Sequence, residues 1–492
     1  MNHEKIPATP ETRNSLYENM GRTIEIFSPT LKECIILKEA LDRNTTSKIF
    51  DGFLSLFIYV QYTKIELASV LRACFRANLP AEKRYNIKWV NCVILESYKH
   101  LYGYGNRKRK KSLWRSKIEP LLKIVDSLEF EQDFKTLENH IIEFGEREIT
   151  NLENRDLSFH YDEEPVKVYD MLSSLDEDEE VQRMNNFLDL LQKICVFISK
   201  YKEHIPHIDI KAEATLKYAL TLSDIDIFRD NKEGLHLTLE DVIQSHSSGL
   251  EKFVTQLSIS EQLNQHFKDI DSDSIETMNK LLKVAIQLTY LYIDLASASK
   301  AVISSEYTIE KQLSLKKICI IIYEGYNKVY GLHENSENSF WHRCVLPIVS
   351  ENENKSLYNE SNLIEQELQK LRGKFKTLKR QRQLSVHLEE GIPEVYLMLH
   401  NLNPIEQYQN TLFLLDTLPR ILKFLTKCLH IVELKHQINY EKRMAPTYEK
   451  IDNIISLFKK APDSQQKDDA IKILEKFKSG DFFDEIRNRM NL

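Results

Sequence analysis

Two short stretches, "RDLSFHYDEEPVKVYDML" from Arg155 and "RQLSVHLEEGIPEVYLML" from Arg382, carry residue types suited to chemistry on a phosphodiester. Each reads Arg-x-Leu-Ser-x-His, so Arg155 stands five residues before His160 and Arg382 five before His387. Arginine is a permanent cation whose fork of donors matches phosphate oxygens. Histidine titrates near neutrality and serves as general base or acid. Together they suit attack of a ribose 2′-hydroxyl on its adjacent phosphate without a metal. The alternative is structural: each Arg caps a carboxylate and each His fills a half-buried polar niche. On a regular helix, residues five apart point roughly 140° apart and differ by about 7.5 Å in height. One pair therefore does not close on a single phosphate, whereas two pairs facing each other do.

The two clusters belong to a longer internal match. At an offset of 228 residues, "YTKIELAS" (62–69) meets "YLYIDLAS" (290–297), and Glu96, Tyr98, Tyr102 and Gly103 meet Glu324, Tyr326, Tyr330 and Gly331. At an offset of 227, "SLWRSKIEP" (112–120) meets "SFWHRCVLP" (339–347), Arg155, Ser158 and His160 meet Arg382, Ser385 and His387, and "FLDLLQKICVFI" meets "LLDTLPRILKFL". The matches stay in order over about 150 residues with almost no gap. They predict an all-α, tandemly duplicated chain in which two bundles of four or five helices face each other about an internal pseudo-twofold axis. The expected divisions are an N-terminal arm (1–24), a first helical domain (25–205), a connector (206–244), a second helical domain (245–440) and a C-terminal helical extension (441–492).

The totals agree with helices. Gly (12) and Pro (13) are scarce in 492 residues, and hydrophobic residues make up 42 %. The stretches "YNIKWVNCVILESYKHLY" and "QLSLKKICIIIYEGYNKVY" are apolar enough to be central helices. A formal charge of −7 excludes a general polyanion binder but leaves room for local basic patches. Seven scattered cysteines, with no C-x-x-C, suit a reducing cytosol better than a disulfide framework or a zinc site. The apolar runs "FLSLFIYV" and "ICIIIY" are shorter than a membrane span, and the first residues lack a signal-peptide core. A cytoplasmic protein without membrane attachment, cofactor or metal is the expectation; no P-loop, dinucleotide fingerprint or nucleophile elbow is present.

At the doubled cluster the chain resembles the HEPN superfamily, whose ribonuclease members carry Arg-x4-6-His in small helical bundles and pair two motifs into one metal-independent site. The resemblance covers about two-thirds of the chain. It implies an RNA endonuclease with Arg155, His160, Arg382 and His387 catalytic, in antiviral defence or growth control. It further implies supporting roles for the polar residues after each Arg, Asp156 and Gln383, and for Ser158 and Ser385; Asp156 stands where the family more often has Asn. Glu96 and Glu324 are the acidic residues in position to support the motifs. Two such domains in one chain are similar to the HEPN pairs of type VI CRISPR effectors and to abortive-infection and toxin proteins, although acidity and length count against a guide-RNA effector. The partners implied are RNA and an antitoxin or regulatory protein, the chain being a pseudo-symmetric monomer or a homodimer. A non-catalytic nucleotide- or RNA-binding or scaffold protein is the alternative.

Two basic stretches bear on RNA. Arg107, Lys108, Arg109, Lys110 and Lys111 form one, a solvated loop or a phosphate contact. Arg372, Lys374, Lys376, Lys379 and Arg380 lead into the second motif and are expected to track phosphates. The acidic "SSLDEDEE" (173–180) reads as a solvated helix start. Trp114 and Trp341 read as core, with base stacking the alternative. Tyr98 and Tyr326 are core or lean toward the motifs.

Overall fold

The computed structural model describes residues 10–42, 48–103, 111–149, 165–201, 232–266, 268–332, 336–351, 355–386, 391–460 and 464–479. Among these, all regular structure is helical. Helices α1 (Pro10–Asp42), α2 (Lys48–Arg76), α3 (Pro80–Leu101), α4 (Leu128–Glu148), α5 (Pro165–Ser174) and α6 (Glu177–Lys200) come first. They are followed by α7 (Lys232–His266), α8 (Lys268–Ser304), α9 (Thr308–Val329), α10 (Lys355–Val386), α11 (Ile392–Asn401), α12 (Pro404–Lys460) and α13 (Gln465–Ser479). The order α1–α6 is matched by α7–α12 at the spacing read from the sequence. Both ends of α3 and α9 lie 228 residues apart, and both ends of α5 and α11 lie 227 apart.

Irregular features recur at the same spacing. A π-helical turn at Trp114–Ile118 is matched by one at Trp341–Val345. Each places its tryptophan in the core, Trp114 0 % and Trp341 1 % exposed, which settles the choice between core and base stacking. The Trp114 ring lies 6.4 Å from Phe197 and that of Trp341 5.8 Å from Phe424, again positions 227 apart. α3 and α9 are both followed by a glycine in the left-handed region, Gly103 (φ 82°) and Gly331 (φ 90°), a conformation that costs other L-residues. Past them, the Tyr102 hydroxyl donates to Glu138 at 3.1 Å and that of Tyr330 to Glu365 at 3.3 Å.

Helix starts follow capping rules. Asp176 accepts from the amides of Asp178 and Glu179, and Glu177–Glu180 sit against the positive end of α6. The acidic segment departs from the solvated helix start read from the sequence: Glu180 is buried and paired with Arg183, because the helix turns it toward Asn91 of α3. Asn403 caps α12 through the amides of Ile405 and Glu406.

The chain forms two compact units, one of residues 1–254 and 283–425, the other of 255–282 and 426–492. α12 is continuous through residue 440. In the second unit Lys478 of α13 reaches Asp452 of α12 at 2.6 Å. One described helical stretch, Asp273–Ser304, is long and apolar enough to cross a membrane, and 94 % of its most apolar window is buried inside the protein.

The core of the larger unit is built on α2, α3, α8 and α9. Their side chains are buried almost all round, yet they include charges. Lys88 of α3 pairs with Asp294 of α8, and Lys316 of α9 pairs with Glu66 of α2. Arg72 of α2 pairs with Glu310 of α9 at 3.3 Å, and Lys300 of α8 with Glu82 of α3 at 2.7 Å. Each residue of one pair stands 228 positions from its counterpart in the other. α1 and α7 seal the edges differently. Tyr17 of α1 stacks on Arg72 with 3.9 Å to the ring centre and accepts from Arg76, whereas Glu240 of α7 gives Lys300 a second carboxylate at 2.6 Å.

A buried pair that loses one member leaves an uncompensated charge. Lys316→Met is therefore expected to cost about 3–5 kcal/mol in urea unfolding, and Lys316→Met/Glu66→Leu to recover most of that. A double variant no better than the single would contradict this account.

Lys317 of α9 is a further buried cation, next to Lys316. Burial pulls its pKa down to about 8 from the ordinary 10.5; Glu66, Glu310 and Asp294 oppose the change and Lys316 adds to it. Below pH 8 the residue is charged whether the chain is folded or not, and the fold bears the whole desolvation cost. Between pH 8 and 10.5 the folded chain sheds a proton that the unfolded chain keeps, so this cost fades as pH rises. Lys317→Met should stabilise the protein by ~3 kcal/mol at pH 7, with little gain left at pH 10.5. Unfolding curves of both chains at the two pH values check it; an equal gain at both would count against the buried-charge explanation.

Candidate active site

Of the four motif residues, Arg382 is the one the structure describes. Arg155, Asp156, Ser158, His160 and His387 lie outside the described residues, as do Arg107, Lys108, Arg109 and Lys110 and the side chains of Ser385 and Lys376. Arg382 sits in the last turns of α10, half-buried. Its Nε and Nη2 both donate to Glu324 Oε1, and its guanidinium lies 6.0 Å from the centre of the Tyr323 ring. Glu324 is 7 % exposed on α9. The acidic residue named as support thus touches the motif arginine, in the carboxylate-capping manner of the structural alternative. At the matching position of α3, Glu96 pairs with Lys99 at 3.4 Å.

The neighbourhood is close-packed. Gln381 accepts a weak bond from the thiol of Cys319 at 3.8 Å, and burial pushes that thiol's pKa well up, so it stays protonated. Burial likewise raises the Tyr323 phenol. Tyr326 is core: it donates to the Leu368 carbonyl, and its ring meets Phe375 edge-on at 4.9 Å. Tyr98 is core as well, 6.0 Å from Phe144 with its hydroxyl packed against Gly145, where a Cβ would lie 2.0 Å away. Neither tyrosine leans out toward a cleft. His400, near the end of α11, is held neutral: burial lowers its pKa to about 4, and its ring packs on Tyr396 at 4.2 Å.

The basic segment of α10 leads into Arg382 along the chain. Lys374, Lys379 and Arg380 are exposed, Arg372 is half-buried and Gln383 is exposed. Lys111 is exposed beyond the first half's loop. Among the described residues, no group of three His, Cys, Asp or Glu is placed to hold a metal ion.

Both motifs lead into short helices, α5 and α11. α5 packs on α3, and the carbonyl of its first residue, Pro165, accepts from Tyr290 of α8 at 3.1 Å. α11 packs on α9 and α10 and also on α2. Each helix after a motif therefore touches the opposite half. Tyr290 was not singled out in the sequence, although it lies in "YLYIDLAS", matched to Tyr62. The ionic residues of α2, α3, α8 and α9 were also missed. Their signal was the charge retained inside otherwise apolar helices at matching positions.

Comparison of the chain with protein-family models, with curated proteins and with solved structures returns no match.

The Arg382–Glu324 contact makes a measurable claim. Arg382→Ala is expected to cost ~1.5–3 kcal/mol, because it strips a charge-assisted bond from a buried carboxylate. Glu324→Gln in the same chain should recover part of the loss, with a coupling of about 1–3 kcal/mol in a double-mutant cycle. Additive losses would mean that the pair is not formed in solution.

Proposed function

We propose that the chain is a metal-independent RNA endonuclease, descended from a tandem duplication, with one site shared by Arg155–His160 and Arg382–His387 across an internal pseudo-twofold axis. The observation that carries this reading is that α5 and α11, the helices that follow the two motifs in sequence, each engage the other half. Support for the axis comes from the paired charges. Lys88–Asp294 and Lys316–Glu66 exchange under a 228-residue shift, as do Arg72–Glu310 and Lys300–Glu82. Arg76 meets Ser304, its own counterpart, at 3.5 Å, as positions beside a twofold axis do.

In this reading one histidine takes the proton of a 2′-hydroxyl, whose oxygen attacks the adjacent phosphorus. The other histidine gives a proton to the departing 5′-oxygen. The products are a 2′,3′-cyclic phosphate and a 5′-hydroxyl end. Arg155 and Arg382 stabilise the charge that develops on the phosphorane. The exposed cations of α10 hold the flanking RNA backbone.

A second reading, a non-catalytic RNA- or nucleotide-binding protein, is favoured by one observation: Glu324 already occupies Arg382 in a half-buried pair. Labelled RNA incubated with EDTA separates the two. Under the nuclease reading His160→Ala and His387→Ala should each lower the rate by about 10²-fold or more, and the double variant should be little worse, since the two serve one reaction. Half the activity in each single would mean two independent sites, and no cleavage by the native chain would favour the second reading.

A further inference from the structure

α4 and α10 occupy matching places in the two halves, and their inner faces agree. Ile141 and Phe144 stand 227 residues before Leu368 and Leu371, and all four are buried. Glu138 and Glu365 take the equivalent hydroxyls of Tyr102 and Tyr330. The outer faces are opposite in charge. The exposed Glu143 and Glu146 of α4 become the exposed Lys370 and Gly373 of α10. No acidic residue stands between Leu368 and Gln383, whereas the matching residues 141–156 hold Glu143, Glu146, Glu148, Glu153 and Asp156. Lys370, Gly373 and Arg380 share one stripe of α10 and Lys374 flanks it, all of them exposed, in a basic strip about 15 Å long. Gly373 is out of place in such a helix. Its backbone is ordinary helix, and a Cβ there would meet nothing within 4 Å, so neither conformation nor packing asks for glycine. A glycine inside a helix is less stable than an alanine. What it gives is close approach of a ligand to the helix backbone, here between cations. No large apolar side chain is exposed along 368–383 among the described residues, so the strip lacks what a membrane-surface helix buries.

We infer that the protein holds RNA from one side: the strand's phosphate backbone lies along the outer face of α10 and crosses it at Gly373, while the matching face of α4 repels it. This deepens the RNA reading above and does not depend on cleavage. The test is binding of a fluorescein-labelled 2′-O-methyl RNA oligonucleotide, which has no 2′-hydroxyl to attack, followed by anisotropy over a range of salt. One variant, Lys370→Glu/Gly373→Glu, gives α10 the residues of α4. Gly373→Leu adds bulk without charge. Lys135→Glu is the control, a lysine reversed on the exposed side of α4. Melting curves accompany each variant; Gly373→Leu should melt no lower than the native chain, since leucine is the better helix former and has room there.

The α10 exchange should weaken binding by about tenfold or more at ~0.1 M salt and flatten the salt slope by about one phosphate contact. Gly373→Leu should weaken binding by about threefold or more with the slope unchanged, and Lys135→Glu should stay within about twofold of native. An exchange no weaker than Lys135→Glu, or native-like binding by Gly373→Leu, would overturn the proposal. So would a native chain that binds vesicles of anionic phospholipid but no RNA. RNA cleavage by the native chain, with binding untouched by the exchange, would remove the α10 surface and leave the nuclease reading standing. Binding as described without cleavage would do the reverse.

Discussion

Buried ion pairs across α2, α3, α8 and α9 are the constraint on which the rest of this structure depends. Each charge in Lys88–Asp294, Lys316–Glu66, Arg72–Glu310 and Lys300–Glu82 has been taken out of water. That transfer is tolerable only where the partner is met. Apolar helices of similar shape could slide past one another by a turn at modest cost. Here a slip by one turn would strand several charges together, so the four helices have one register. The layer is an arrangement that specifies more than it stabilises, and Lys317, a cation with no carboxylate of its own in the pattern, shows that it is not optimised for stability.

Everything that bears on the candidate site hangs from this layer. Glu324 lies two turns beyond Lys316 and Lys317 on α9, so the helix that carries the ionic contacts also carries the carboxylate that grips Arg382. Asp294 and Tyr290 share one face of α8, so the contact that fixes the register also sets the start of α5. The π-helical turns and the left-handed glycines at Gly103 and Gly331 are the same device used twice, turning the chain out of a central helix and seating a tryptophan before α4 or α10 begins. The halves differ at their rims. α1 lays Tyr17 over Arg72, whose second carboxylate is Glu306, while α7 offers Glu240 to Lys300, so the second carboxylates of equivalent cations come from different places in the chain.

The Arg382–Glu324 pair joins the two readings of the motif. A carboxylate that holds an arginine in a fixed orientation is a structural cap, and it is also what a site needs if the guanidinium is to meet a phosphate without first losing rotamer freedom. The Arg382 Nε and Nη2 both go to Glu324 Oε1, so the guanidinium is held from one side by a carboxylate that is itself buried.

The sequence by itself determined the helical class and the repeat with its offsets, and it read Trp114 and Trp341 as core while leaving base stacking open. Those follow from local periodicity and from comparing the chain with itself, and neither needs a third dimension. It also named Glu324 beside Arg382, because the resemblance pairs an acid with the motif. Only the tertiary structure decided which charge meets which. Lys88, Glu66, Arg72 and Glu82 look like surface charges when read along α2 and α3, since periodicity tells inside from outside but does not reveal that a second half covers the outside. The contact of Tyr290 with the start of α5 was hidden for the same reason. Its partner is the carbonyl of a residue 125 positions earlier, and a backbone acceptor leaves no mark in the pattern of side chains.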